Sequence, residues 1–422
     1  MNLTIEKLIY GGDGLAHQPE GKAVFVPLVL PGEEVNATIA EEKAGFLRAT
    51  VDELLTPSEK RIQPGCPYFG RCGGCHYQHT DYENQLDIKR AILRETFRRT
   101  GKFEWQEEIV THAGEPWSYR NRTRVKLQFG PEFALGYRRL ASHELLPVEK
   151  CPISSPTINR MIFHLWELGR EQRVPQGIGE IEFFANHDDS ALLLEVYGSP
   201  PITGLQDFFR DLKIRMPELE GLAAFTLAGP HSPIAEAKEV FGQSSLLYRA
   251  GEREFRVSAG SFFQTNCFLV DELIRAVTSG LSGRMALDLY AGVGLFASHL
   301  AKRFHQVFAV ESSPAAAGDL QANGQKNITA VRATTEQFLQ KSLNLNPDVV
   351  IADPPRAGMG EATTKLLAAL RVPSIVYLSC DPTTLARDLR LLLDFGYRVE
   401  QVHLIDLFPQ TFHIESLVRL VR

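Results

Sequence analysis

A cysteine near the carboxyl-terminal end of the chain carries the clearest chemical signal. Cys380 follows the apolar run SIVYL and precedes TTLARDLRLLL, a pattern that predicts a strand, a tight turn and a helix. A parallel strand would deliver Cys380 to the carboxyl edge of a sheet, where ligands bind in α/β folds. The dipole of the following helix favours a thiolate, so we predict that Cys380 is a nucleophile. A half-buried structural thiol is the alternative interpretation.

Carboxylates are expected at the same edge of the sheet. Asp353 ends the apolar run DVVIA, and His413 and Glu415 stand just before the last apolar run, LVRLV. Because the ends of neighbouring strands meet at one edge, the thiol and the carboxylates should converge there.

A glycine turn predicts a ligand with a ribose. The run from Ala286 to Tyr290 has the pattern of a buried strand, and Gly292 and Gly294 then turn the chain into a helix. Such glycines let a ligand approach the backbone, and the start of a helix offers unpaired N–H groups. Glu311 follows the next strand, where a carboxylate can accept hydrogen bonds from ribose hydroxyls. The third glycine of the dinucleotide motif is absent, so the pattern fits S-adenosylmethionine better than NAD. A tight turn beside an exposed acid is the alternative.

These parts together match the methylation of a pyrimidine. C5 of uracil is too weakly nucleophilic to attack a methyl sulfonium, but a thiolate that adds at C6 converts the ring to an enolate. After methyl transfer a base must remove the C5 proton so that the thiol can leave. A cysteine, a carboxylate and a pocket for S-adenosylmethionine are therefore all needed, and the sequence offers a candidate for each.

Four further cysteines have the spacing of a metal or cluster site. Cys66, Cys72 and Cys75 follow the pattern C-x5-C-x2-C, and Cys151 can supply a fourth thiolate. Zinc and iron–sulfur clusters both accept four thiolates, so the spacing alone does not separate them. Purely structural cysteines are the alternative.

A cationic strand is the candidate surface for nucleic acid. Residues Arg120, Arg122, Arg124 and Lys126 are spaced by two, so on a strand their side chains would share one face. With few acids to pair with, such a face indicates a surface that binds phosphates. Arg90, Arg94 and Arg98 form a stripe on a predicted helix over residues 82–100, and we interpret that stripe as a solvated face.

Composition and length set the elements that must position these residues. A chain of 422 residues is more than one core usually serves, which predicts two or three domains. The 45 Lys and Arg residues against 51 Asp and Glu residues give a net charge of −6, which excludes indiscriminate coating of nucleic acid. The sequence begins without the pattern of a signal peptide and has no run long enough to cross a bilayer, so we expect a cytoplasmic protein that does not bind membranes, and a monomer.

The pattern of predicted strands and helices divides the chain into three regions of an α/β protein. Short alternating strands over residues 1–57 predict a small β-barrel of the oligonucleotide-binding kind. Residues 58–255 contain the cysteines and antiparallel strands of a central α+β domain. Residues 256–422 alternate strand, turn and helix, which predicts a Rossmann-like, doubly wound domain.

The motifs FFQTN, DLYAGVG, ADPPRAG, SCDPTTLARDL and FPQTFHIE together resemble those of the RNA (uracil-5-)-methyltransferases. The resemblance runs nearly end to end, and it is to the branch with an N-terminal TRAM domain and an iron–sulfur cluster that acts on 23S ribosomal RNA. By this resemblance Cys380 attacks C6 and Glu415 removes the C5 proton. It implies that Gln264, Tyr290, Glu311 and Asp353 contact S-adenosylmethionine, and that the four cysteines hold a structural 4Fe-4S cluster. Many relatives carry Asn at the positions of Leu295 and Thr334, so these two contacts are not expected from the side chains here.

Three alternatives remain at this stage. A sister activity methylates a uridine in a tRNA loop, and no residue separates it from the ribosomal activity. A non-catalytic RNA-binding protein of the same fold would have lost Cys380 or Glu415, and both are present. An enzyme that methylates small metabolites would not need the predicted barrel or the cationic strand.

Overall fold

The computed structural model describes residues 1–199, 201–226 and 237–422. The amino-terminal region is a six-stranded sheet in the order β1-β5-β6-β4-β3-β2, antiparallel except for the β4–β6 pair. Alternate residues of these strands are buried, and they form a small core of their own that includes Val24, Val26 and Val35. The strands are β1 (Asn2–Thr4), β2 (Lys7–Leu8), β3 (Asp13–His17), β4 (Ala23–Pro27), β5 (Glu34–Glu42) and β6 (Phe46–Thr56).

A helix and a short strand follow the cysteine segment. Helix α1 (Tyr82–Thr96) begins after Asp81, whose carboxylate accepts a hydrogen bond from the Asn84 backbone N–H at 2.8 Å. It continues as one π-helical turn over Phe97–Gly101, so the helix predicted over residues 82–100 is present. Strand β7 (Ile109–His112) comes next.

The central region is built on an antiparallel sheet with helices beside it. Within the described residues the sheet has seven strands in the order β10-β9-β8-β11-β12-β13-β14, and the β12–β13 pair is parallel. Its elements are β8 (Arg122–Gln128), β9 (Ala134–Arg138), β10 (Leu145–Pro147), α2 (Pro156–Arg170), β11 (Ile178–Ala185), β12 (Leu192–Gly198), α3 (Leu205–Arg215), β13 (Leu219–Thr226) and β14 (Glu239–Gly242). A hairpin of β15 (Ser245–Ala250) and β16 (Arg253–Ser258) leads out of it.

The carboxyl-terminal region is a doubly wound α/β domain. Its elements are α4 (Val270–Thr278), β17 (Gly283–Leu289), α5 (Leu295–Leu300), β18 (Phe304–Glu311), α6 (Pro314–Asn323), β19 (Ile328–Arg332), α7 (Thr335–Lys341), β20 (Val349–Ala352), α8 (Gly360–Ala369), β21 (Ser374–Ser379), α9 (Pro382–Asp394), β22 (Arg398–Ile405) and β23 (Glu415–Val421). The sheet order is β19-β18-β17-β20-β21-β23-β22-β7, and β23 runs antiparallel to both of its neighbours. The order reverses beside β17, where this architecture places its ligands.

The segment between the cysteines and the central sheet packs on the carboxyl-terminal domain. Strand β7 pairs with β22 at the edge of the large sheet. Apolar residues of α1, such as Ile92, share a buried cluster with Leu385 and Leu389 of α9. Residues 82–112 therefore contact the domain predicted over 256–422, although the predicted boundaries assign them to the central domain. Among the helices of the described residues, none is long and apolar enough to cross a membrane.

Candidate active site

The thiol and one carboxylate are neighbours across two strands. In the antiparallel register of β21 and β23, Ser379 pairs with Ser416. The next residues along each strand, Cys380 and Glu415, are therefore adjacent at the carboxyl edge of the sheet. Glu415 is buried, with 5% of its surface exposed, whereas Cys380 is partly exposed. The structure thus brings together the two residues that the sequence places 35 positions apart.

The surroundings of Cys380 favour the protonated thiol over the thiolate. Burial, followed by the nearby carboxylates of Glu415, Asp353 and Asp381, raises the pKa of the Cys380 thiol to about 12, and the Arg356 guanidinium opposes them. The pKa of this thiol in the ligand-free protein is therefore shifted away from the thiolate, chiefly by burial. Asp381, between the thiol and α9, accepts hydrogen bonds from the N–H groups of Thr383 and Thr384 at 2.9 and 3.0 Å, so these N–H groups already have a partner.

The two carboxylates near the thiol are also shifted toward the protonated form. Burial raises the pKa of Glu415 well above the usual value for a carboxyl, with a further contribution from Asp353. Burial likewise raises the pKa of Asp353, which follows β20. A carboxylate with a raised pKa is a stronger proton acceptor, which suits a general base.

The glycine turn and the acid after it form one hydrogen-bonded unit. Gly292 and Gly294 have φ angles of +55° and +92°, a region that favours glycine. The Gly292 N–H donates to the Glu311 carboxylate at 2.9 Å, and the Ser313 N–H donates to its other oxygen at 2.6 Å. A Cβ added at Gly292 would meet no atom within 4 Å, so this side of the turn is open to a ligand.

The remaining predicted contacts flank the turn. Tyr290 has a φ of +63° and is half-buried, and its hydroxyl lies beside Thr335. Gln264 is half-buried in the loop between β16 and α4. That loop is fixed because the buried Asn266 amide donates to the Leu407 carbonyl at 3.2 Å.

The two departures from the family pattern have structural roles. Leu295 is buried in the core at the start of α5. Thr334 caps α7, because its hydroxyl accepts a hydrogen bond from the Gln337 N–H at 3.2 Å and the Gln337 side chain accepts one from the Thr334 N–H. Neither side chain is free to replace an asparagine.

Sequence reasoning missed a buried acid beside the glycine turn. Asp288 lies on β17 and is fully buried; one oxygen accepts a hydrogen bond from the Ala297 N–H at 2.7 Å, and within the described residues the other has no partner. Burial, with smaller effects of Asp353 and Glu311, raises the pKa of Asp288 to about 8. An acid in the middle of the apolar run ALDLY was the available signal.

Two further residues lie near Cys380. The Arg356 guanidinium lies 3.4 Å from the ring nitrogens of His413 and lowers the pKa of both Cys380 and Glu415. The Tyr10 hydroxyl donates to the Cys380 carbonyl at 3.4 Å, so the amino-terminal region contacts the segment that carries Cys380. Arg356 could have been predicted because it belongs to the ADPPRAG motif, whereas no sequence pattern around Tyr10 predicts its contact with Cys380.

The four clustered cysteines line one cavity. Cys66, Cys72, Cys75 and Cys151 surround it together with Arg120. Burial and the proximity of the other thiols raise the pKa of Cys75 to about 12 and that of Cys72 to about 11, and Arg120 opposes both shifts. In the described parts of the chain, no group of three or more His, Cys, Asp or Glu residues is placed to hold a metal ion.

The cationic strand is neutralised by a neighbouring strand. Arg122 pairs with Glu182 and Glu195, and only 10% of its side chain is exposed. Arg124 also pairs with Glu182, and Lys126 lies 3.3 Å from Glu180. The prediction of a phosphate-binding face rested on the lack of acidic partners, and that premise is wrong because β11 supplies them.

Arg120 also departs from that prediction. It precedes β8, and its side chain lines the cysteine cavity rather than a surface. Its Nε is shielded from solvent and has no hydrogen-bond partner among the described residues.

Comparisons with known proteins give a consistent result. Residues 81–422 match the model of the tRNA (Uracil-5-)-methyltransferase family, and residues 1–51 match that of the TRAM domain. The chain is 34% identical to the 23S rRNA (uracil(1939)-C(5))-methyltransferase of Chromohalobacter salexigens, with 100% of this chain and 89% of that protein covered. It is 33% identical to an uncharacterized RNA methyltransferase of Aquifex aeolicus, with 100% and 98% covered.

The fold is similar to that of a solved structure. The tRNA (uracil-54, C5)-methyltransferase of Pyrococcus abyssi, in complex with S-adenosyl-L-homocysteine, superposes with a TM-score of 0.78 at 24% identity, with all of both chains covered.

Proposed function

Because the chain belongs to the tRNA (uracil-5-)-methyltransferase family, we propose that it transfers a methyl group from S-adenosylmethionine to C5 of a uridine in 23S ribosomal RNA. The observation that carries this proposal is the adjacency of Cys380 and Glu415 at the sheet edge that also bears Asp353 and the glycine turn. A nucleophile, a base and a ligand turn on one edge are what the reaction requires.

The chemistry assigns one role to each residue. Cys380 loses its proton to solvent and the thiolate sulfur bonds to C6 of the uracil, which places negative charge on the ring and makes C5 nucleophilic. C5 then takes the methyl group from the sulfonium, and S-adenosylhomocysteine is released. Glu415 accepts the C5 proton, the C5–H electrons form the C5–C6 double bond, and the S–C6 bond breaks to release the thiolate, which takes a proton back from solvent. The target base must leave its helix, because stacking hides C5 and C6.

The raised pKa of Cys380 fits an enzyme that activates its thiol only in the complex. In the ligand-free protein Arg356 is the cation that favours the thiolate. A positively charged sulfonium in the neighbouring pocket would act in the same direction, because opposite charges stabilise an anion. We place Gln264, Tyr290, Gly292, Gly294, Glu311 and Asp353 around that pocket.

We further propose that Cys66, Cys72, Cys75 and Cys151 hold a 4Fe-4S cluster. Their common cavity brings four thiol groups around one space, and four thiolates are the usual ligand set of such a cluster. The buried Arg120 would offset part of the negative charge of the site. The cluster would be structural, and no step of the methyl transfer passes through it.

The partner follows from the family and the TRAM domain, which indicate RNA. The choice of ribosomal over transfer RNA rests on full-length relatives such as that of Chromohalobacter salexigens. We also propose that the protein acts as a cytoplasmic monomer.

An assay with two RNAs tests the substrate. The purified protein should incorporate labelled methyl groups into unmodified 23S rRNA and produce 5-methyluridine, as identified by mass spectrometry. Labelling of tRNA instead would favour the sister activity, and labelling of neither RNA would refute the proposal. With 5-fluorouridine in the RNA, the fluorine cannot leave as the C5 proton does, so a covalent adduct should persist on a denaturing gel.

The cluster is tested without reference to activity. Protein purified without oxygen should contain iron and sulfide and absorb visible light, and Cys75→Ser should lose both. Cys267→Ser is the matched control, because Cys267 is half-buried and lies outside the cavity. Zinc in place of iron would contradict the proposal.

A further inference from the structure

A short segment in front of the proposed base is fixed from four directions. We call residues 407–410 the junction segment. Each of its carbonyl groups accepts a hydrogen bond from a distant part of the chain: Leu407 from the Asn266 side chain, Phe408 from Lys89, Pro409 from the Tyr119 hydroxyl, and Gln410 from the His76 and Tyr77 backbone N–H groups. These distances lie between 2.8 and 3.2 Å. Four consecutive carbonyls with separate buried donors leave the segment little freedom.

Gln410 is the most constrained residue of the junction segment. It is 3% exposed and has a backbone φ angle of +69°, which residues other than glycine rarely adopt. Its backbone N–H donates to the Gln85 side-chain oxygen at 2.9 Å, and the Gln85 amide donates to the Gln410 side-chain oxygen at 3.0 Å. Gln85 itself is 1% exposed, so this reciprocal pair is shielded from water. A strained backbone that persists in such a network often marks a functional position.

The donors connect the junction segment to the cysteine segment. His76 and Tyr77 directly follow Cys75, and Gln85 lies on α1 soon after it. The same helix supplies Lys89, which forms a fully buried ion pair with Asp406. The position of the junction segment is therefore defined relative to the cysteines and to α1.

Only a short tether separates the junction segment from Glu415. Thr411 turns the chain back, because its hydroxyl donates to the Phe408 carbonyl at 2.9 Å and accepts from the His413 N–H at 3.2 Å. Glu415 then begins β23 beside Cys380. A displacement at Gln410 would be transmitted to Glu415 across few residues.

We propose that Gln410, held by Gln85 and by the residues after Cys75, is a positioning residue that sets Glu415 against the C5 proton. The proposal rests on the proposed role of Glu415 as the base. The cysteine segment thereby supports the proton-removal step, beyond any part it has in binding RNA. Among the described residues the hydrogen bonds of Gln410 go to Gln85, His76 and Tyr77, so we assign it an effect through the junction segment.

The test measures the covalent adduct, because loss of the base function leaves the enzyme attached to its RNA. Gln85→Leu removes both hydrogen bonds to Gln410 and leaves the Gln410 N–H without its acceptor. We expect kcat to fall on the order of 10- to 100-fold, a steady-state RNA–protein adduct to accumulate, and binding of S-adenosylmethionine to be unchanged by calorimetry. Gln340→Leu is the matched control, since Gln340 is exposed on α7 and bonds only to Glu336; it should behave as the parent.

A second substitution keeps the test decisive if Gln85→Leu does not fold. Gln410→Gly tolerates the positive φ and removes only the amide side chain, so it should accumulate the adduct to a smaller extent. The double variant Gln85→Leu/Gln410→Gly should be no worse than Gln85→Leu, because the two side chains act as one unit.

The outcomes separate this proposal from the proposed function. Glu415→Gln provides the reference and should trap the adduct fully; if it does not, the base is misassigned and the positioning proposal is wrong with it. If Glu415→Gln traps the adduct while the Gln85 and Gln410 variants lose activity without trapping it, Gln410 is merely structural and the proposal is overturned. Unchanged kcat in both variants would overturn it as well.

Discussion

Two regions of the molecule place charged side chains close together on or beside strands. In one region cations and carboxylates are paired, and in the other carboxylates lie close to each other. On β8 of the central sheet, Arg122 pairs with Glu182 and Glu195, and Glu182 also pairs with Arg124, so each of these charges has a partner. At the carboxyl edge of the large sheet, Asp353 and Glu415 lie near the Cys380 thiol, with Arg356 as the nearby cation. Removing one partner of a buried ion pair is costly because a charge is left unpaired, whereas like charges that are buried together shift pKa values and often mark functional sites.

The largest effect is expected at the reactive edge. Cys380→Ala should lower methyl transfer by on the order of 10⁴-fold or more, because the route through the C6 adduct is lost. Binding of S-adenosylmethionine should persist, since the turn at Gly292 is separate from the thiol. Radiolabel transfer measures the methylation activity, and calorimetry measures the binding of S-adenosylmethionine. Substantial methylation by Cys380→Ala would show that the carboxyl edge of the large sheet is not the reactive region.

The next largest effect is expected in the paired region, and on stability. Arg122→Met leaves Glu195 buried without a cation and Glu182 with Arg124 alone, and it should lower the free energy of unfolding by about 3–5 kcal/mol in urea titrations. The salt dependence of RNA binding should not change, because Arg122 is not exposed. If Arg122→Met instead flattened the salt dependence of RNA binding and left the stability unchanged, β8 would be an RNA-binding surface.

The pH dependence of stability is a further test of the contrast between paired and unpaired buried charges. The pKa of Asp288 is raised from 3.8 to about 8, so the folded state binds a proton that the unfolded state releases between these values. Stability should therefore fall as the pH rises from about 4 to about 8, with a drop of Tm by several degrees in thermal scans. Asp288→Asn keeps an acceptor for the Ala297 N–H and should reduce this slope; an unchanged slope would assign it to other groups.

The smallest effect is expected at the rim of the paired region. The Lys126 side chain is 35% exposed and faces Glu180, so Lys126→Gln should change the free energy of unfolding by about 0–1 kcal/mol. Its RNA affinity should match that of the parent at every salt concentration. A large loss of affinity in filter binding would show that the ion pair opens for phosphate.

The sequence predicted what is encoded locally. The glycine turn, the acid after the next strand and the thiol between a strand and a helix each depend on a few adjacent residues, and the structure has them in those elements. The β-rich amino-terminal region and the doubly wound carboxyl-terminal domain also follow from local periodicity.

The errors arose where distant residues decide the outcome. Arg122 and Glu182 are 60 positions apart, and pairing of β8 with β11 cannot be derived from the spacing of the cations. Tyr10 reaches Cys380 across 370 positions for the same reason. The raised pKa of Cys380 was not predicted because it arises chiefly from burial, and then from carboxylates such as Glu415 that lie on other strands.

The order in which the chain is synthesised gives the junction segment a further consequence. Lys89 is made 317 residues before Asp406, and the donors for residues 407–410 likewise emerge early from the ribosome. Until Asp406 is translated, the ammonium group of Lys89 lacks its buried counter-ion, which disfavours docking of α1 in its final place. A fragment that stops before residue 406 should therefore leave α1 unpacked and open to proteolysis, so this ion pair couples the packing of an early helix to a late part of the chain.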